Sequence, residues 1–152
     1  MIWLILQFAL AQEPADVAGV PGILGRECEA RGRIARVVRP SDGSSSRVEV
    51  LLPDGGLIIV ADRHNPDRVT LSADGDHIAW VSGASGLASV WVSRVLVSEP
   101  RQLTNIGLED APREAGRPPA GWVPPPHDHS LRFEQDHLVW DSPTGPQQVR
   151  WR

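Results

Sequence analysis

From about Ile34 onward, short runs of Val, Ile, Leu and Trp alternate with clusters of Gly, Pro, Asp, Asn and Ser. This alternation constrains the fold more than any other feature. The apolar runs fall at residues 33–38, 47–52, 57–61, 69–72, 77–82, 89–97, 131–133 and 137–140, which are strand lengths rather than helix lengths. Between them lie Ser41-Asp42-Gly43, Pro53-Asp54-Gly55-Gly56, Asn65-Pro66-Asp67 and Asp74-Gly75-Asp76. In such clusters Gly or Asn supplies the positive φ that a tight hairpin needs. The chain therefore reads as all-β, a meander of antiparallel hairpins. Its 14 Gly and 14 Pro in 152 residues support many turns and few helices.

Residues 71–91 match residues 131–151 at a single shift of 60 without a gap. Leu71 falls on Leu131, Asp76-His77 on Asp136-His137, Trp80 on Trp140, Ser82 on Ser142 and Trp91 on Trp151, with Ile78 opposite Leu138. Several of these identities are in the rare residues His and Trp. A weaker third copy precedes them, with residues 32–37 aligning on 78–81, residues 47–51 on 90–92, and Asp54-Gly55 as its turn. Repeats of several short strands are the pattern of propeller blades, in which one sheet cannot cover its own apolar faces and stacks on the next.

The stretch Leu71-Ser72-Ala73-Asp74-Gly75-Asp76-His77-Ile78-Ala79-Trp80-Val81-Ser82 is followed by Val90-Trp91-Val92 and then by Glu99-Pro100-Arg101-Gln102-Leu103-Thr104. It resembles the WD-like β-propeller repeat of the TolB type, in which a S-P-D-G-x-x-I-A-F-x-S hairpin precedes an aromatic strand and an E-P-R-x-L-T strand. Ala73 stands where that family has Pro, and Trp80 where it has Phe. The second copy has Glu134-Gln135 in place of the Asp-Gly turn. The resemblance implies antiparallel sheets arranged as blades, covering about residues 31–64, 68–105 and 129–152. It also implies a core role for Ile78, Trp80, Trp91, Leu138, Trp140 and Trp151, and turn roles for Asp54, Gly55, Asp74 and Gly75.

A closed propeller takes at least four blades of about 40–50 residues, so a chain of this length supplies roughly two and a half. The expectation is an incomplete β-propeller with an open strand edge that must be covered. A longer propeller, a ring of identical copies, or a strand from another protein would each cover it. The family resemblance implies a non-catalytic module of protein contacts at the cell envelope, with a protein partner or a second copy at the open blade edges. A second reading is the propeller of a prolyl-oligopeptidase-like or dipeptidyl-peptidase-like enzyme, without its hydrolase domain.

The ends and loops add localisation and interaction expectations. Residues 1–11 form an uncharged apolar run ending in Ala9-Leu10-Ala11, the small-x-small form of a signal-peptidase site. The run is shorter than the roughly 20 apolar residues a membrane span takes, so export to the periplasm or exterior is expected rather than a transmembrane anchor. Residues 12–30 read as a polar linker. The Pro-rich stretch 109–126 reads as a loop, since Pro removes ladder donors, and an exposed Trp122 on it could form a partner-binding edge.

Several chemistries are excluded or unsupported. All 15 basic residues are Arg, which removes mechanisms that need a lysine amine. A net charge of -4 without a basic cluster argues against nucleic acid. Cys28 is the only cysteine, so no internal disulfide forms. His127 and His129 would share a face on a strand, as two zinc ligands must, but no third ligand has diagnostic spacing, and a polar loop is the simpler reading. His77 and His137 suit a structural hydrogen bond beside a turn. Gly83-Ala84-Ser85-Gly86-Leu87 lacks the last glycine of a nucleophile elbow. No catalytic residue, metal or cofactor is expected.

Overall fold

The computed structural model describes residues 22–111 and 116–152. The apolar leader, the first part of the linker and residues 112–115 of the Pro-rich loop lie outside them. The described chain forms eleven strands and no helix. β1 (Gly22–Ala30), β2 (Arg33–Arg39), β3 (Arg47–Leu51) and β4 (Leu57–Ala61) make one antiparallel sheet in that order. β5 (Asp67–Leu71), β6 (His77–Ser82), β7 (Ser89–Arg94) and β8 (Arg101–Gln102) make a second in the same order. β9 (Arg132–Glu134), β10 (His137–Ser142) and β11 (Gly145–Arg150) make a three-stranded third. No sheet closes on itself among the described residues.

The stretch expected as linker is corrected over its second half: residues 22–30 are β1, paired with β2 from Gly22↔Arg39 to Ala30↔Arg33. Its Gly and charged residues hide the strand from a pattern search, and pairing with the apolar β2 decides its state. Arg31 and Gly32, at φ 53° and 75°, form the two-residue turn between them. Cys28 packs partly against the first core, and its Sγ accepts from the Leu71 amide at 3.4 Å.

Period-2 alternation gives the second sheet two apolar faces, and both are covered. Ile78 and Trp80 on β6 join Ala35, Val37, Val48 and Val50 of the first sheet in one core. Ala79, Val90 and Val92, on the opposite face, join Leu138, Trp140 and Trp151 in the other. Each of these side chains contributes about 1.5–3 kcal/mol when a Val, Ile or larger group is fully withdrawn from water. The first strands approach one another, β5 contacting both β1 and β9.

Two expected turns take the same form. The Gly55 amide donates to the Leu52 carbonyl at 3.0 Å and the Gly75 amide to the Ser72 carbonyl at 2.9 Å, with φ of 89° and 73° at the glycines. Asp54 Oδ1 accepts from the Gly56 amide at 2.8 Å, and Asp74 Oδ1 from the Asp76 amide at 3.0 Å and Ser72 Oγ at 2.6 Å. Their places in the sheets differ, since one joins β3 to β4 and the other β5 to β6.

Candidate functional site

Trp80 and Trp91 are direct cross-strand partners on β6 and β7, on the face turned to the first sheet. The third sheet does not repeat that pair. Trp140 stands opposite Gln147, and Trp151 lies beyond β11. The Trp151 amide donates to the Asp136 carbonyl at 3.0 Å, as the Val95 amide donates to the Asp76 carbonyl at 2.9 Å. Trp151 therefore takes the place of Val95, and its alignment with Trp91 does not carry over to the fold. The cause is loop length: residues 83–88 separate β6 from β7, whereas only Pro143 and Thr144 separate β10 from β11.

Trp151 joins the second and third sheets. Its ring lies 5.0 Å from Phe133, edge to face, and 4.7 Å from the His77 ring. Its indole N–H donates to the Gln135 carbonyl at 3.0 Å, and its own carbonyl accepts from Arg101 Nη2. The Arg152 guanidinium sits 4.7 Å above the ring. Beside it opens a groove of about 660 Å³, with Val92, Pro100 and Trp151 at its apolar part and Arg94, Arg101 and Arg152 around them. His77 also lines it; burial holds its pKa below 6.5, with Arg152 and Arg94 adding to that effect and Asp74 and Asp76 opposing it. Its Nδ1 is buried without a hydrogen-bond partner among the described residues, and the ring packs on Trp151.

The second feature is an edge. β4, β8 and β11 are each the last strand of their sheet, and β11 belongs to the sheet that has three strands rather than four. Because Trp151 bonds Asp136, the antiparallel alternation turns the backbone groups of Gln147 and Val149 toward β10 and those of Pro146, Gln148 and Arg150 outward. Pro146 has no N–H, as suits an edge, so the outward donors are Gln148 and Arg150.

The remaining candidates are held by local hydrogen bonds or exposed. Trp122 is half-buried rather than exposed, and its loop is pinned: Asn105 bonds the Val123 backbone on both sides, and Trp140 Nε1 donates to the Pro124 carbonyl at 2.9 Å. His127 and His129 are exposed in a bend rather than on a strand. His127 Nδ1 lies 3.2 Å from the Asp141 carbonyl, and Asp128 Oδ1 accepts from the Ser130 amide at 3.0 Å. No group of three His, Cys, Asp or Glu residues able to hold a metal ion occurs among the described residues. Ser85 sits in the β6–β7 hairpin with Gln102 and the Leu87 carbonyl as its partners. No helix is long and apolar enough to cross a membrane among the described residues.

Sequence reasoning missed the arginine groove because Arg94, Arg101 and Arg152 are far apart in the chain. The only signal for it was the family-like Glu99-Pro100-Arg101 stretch, read as a strand. No protein-family model and no curated protein matches the chain. What the fold and these two surfaces define is a class only: an all-β protein of stacked antiparallel sheets.

Proposed function

We propose that this chain is a non-catalytic protein-contact module of the cell envelope, a part of a β-propeller similar to the TolB-like repeats, acting through its open sheet edge. One observation carries the reading. The first two sheets have four strands in the same order, while the third has three, and the outer side of its β11 has no neighbouring strand among the described residues. An unpaired edge of this kind templates strand addition. The shared strand order and the approach of β5 to β1 and β9 support a blade-like arrangement converging on the first strands. The apolar run at residues 1–11, with its small-x-small ending, supports export.

Light scattering on the full chain across a concentration series tests the edge. The expected result is association into a defined species that Gln148→Pro shifts toward monomer, because that substitution removes an outward donor and leaves the β10 ladder intact. A mass distribution identical in the wild type and the variant overturns the reading.

A further inference from the structure

We propose that the groove beside Trp151 is a docking site for an acidic, extended polypeptide segment. The inference rests on the contact-module reading only for the class of its ligand. Three guanidiniums, from Arg94, Arg101 and Arg152, line the groove against one carboxylate, Glu99. Among the described residues Glu99 forms no ion pair with them and neither the Arg94 nor the Arg152 guanidinium has a hydrogen-bond partner, although Arg152 lies near enough to Asp74 to help lower its pKa. Arg101 uses one N–H on the Trp151 carbonyl and keeps the rest of its five donors. Asp74 and Asp76, on the adjoining turn, are engaged elsewhere, Asp74 by Ser72 and the Asp76 amide and Asp76 by Arg33 at 3.2 Å. A chain of net charge -4 thus places three arginines and one glutamate around one groove, with none of the three in a salt bridge among the described residues.

The chemistry of the lining selects the ligand. Guanidinium forks match carboxylates in a bidentate way, and an apolar part made of Val92, Pro100 and Trp151 accepts an aliphatic or aromatic side chain between them. Trp and Arg are also the side chains that dominate binding energy at protein contacts. A small anion would engage the arginines and leave the apolar part uncovered. An acidic segment with a central apolar residue uses both.

The test is fluorescence anisotropy on the full chain with a labelled decapeptide of Asp and Glu carrying one central Leu, beside its Asn/Gln counterpart. Saturable binding of the acidic peptide is expected, at least tenfold tighter than the neutral one and weakening as salt rises from 50 to 200 mM. The Arg94→Gln, Arg152→Gln double variant, exposed at both positions and checked by an unchanged thermal melt, should lose at least tenfold. Gln148→Pro should bind the peptide as the wild type does, which separates this groove from the β11 edge. Equal binding of the two peptides, or of the double variant and the wild type, overturns the proposal. So does full displacement by 1 mM inorganic phosphate, which makes the groove a small-anion site.

Discussion

Asn105 and Val123 exchange two hydrogen bonds, the Val123 amide donating to Asn105 Oδ1 at 2.7 Å and Asn105 Nδ2 donating to the Val123 carbonyl at 3.0 Å. The same Nδ2 reaches the Ala88 carbonyl at 3.1 Å. One side chain, 6% exposed, thereby ties the Pro-rich loop to the β6–β7 hairpin. Replacing Asn105 by Ala should cost about 2–4 kcal/mol, because partly buried backbone groups lose their partners. Asn105 also holds φ of 57°, so Asn105→Gly should be less damaging than Ala by about 1 kcal/mol. Urea unfolding of the three proteins measures both differences.

Glu49 is buried at 1% exposure, and its carboxylate bonds Arg36 Nε at 2.7 Å and Arg47 Nε at 3.1 Å. Removing its charge leaves Arg36, itself 9% exposed, uncompensated in a low-dielectric setting. Glu49→Gln should destabilise by about 3–5 kcal/mol. The double change Arg36→Met, Glu49→Leu should recover most of that loss in the same unfolding experiment, since it removes both desolvated charges together.

Gly75 holds φ of 73°, and a Cβ there would stand 3.0 Å from the Ala30 carbonyl oxygen. Arg33 Nη1 donates to the Gly75 carbonyl at 2.6 Å, so the β5–β6 turn is locked against the β1–β2 turn. Gly75→Ala should lower stability by about 1–3 kcal/mol, whereas Gly43→Ala, whose Cβ meets nothing within 4 Å, should cost only the backbone strain of about 1 kcal/mol. Comparing their melting temperatures separates contact from conformation.

Acid should destabilise the fold in two windows. Burial lowers the His77 pKa below 6.5, so the unfolded chain binds the proton more readily, and stability falls as pH drops from 6.5 through the folded value. The bond from Ser72 lowers the Asp74 pKa below 3.8, so its contribution is complete above 3.8 and is lost as pH falls through its folded value. Thermal melts from pH 8 to pH 3 should show both losses, and His77→Gln should flatten the upper one. A pH-independent melting temperature between 7 and 5 would remove His77 from this account.

The strands from β2 through β7, β10, and the turns at Asp54 and Asp74 were legible because each is a local matter: alternating apolar residues, then Gly where φ must be positive. β1 was not legible, because its state comes from pairing with β2. Among the residues singled out in the sequence, Ile78, Trp80, Leu138 and Trp140 are buried. Trp151 was legible as buried and misread in position, because a gapless alignment cannot register a hairpin four residues shorter.

By itself, then, the sequence determined the all-β class, most strand positions, and that the 152 residues hold no lysine and no cysteine pair for an internal disulfide, since these depend on residue type and on spacing within a few residues. Tertiary structure decided which sheet covers which face, that Trp151 stands where Val95 stands, that the Pro-rich loop is pinned by Asn105, and that three arginines meet beside one tryptophan. Those relations join residues up to fifty positions or more apart, as between Arg101 and Trp151, and no local propensity encodes them.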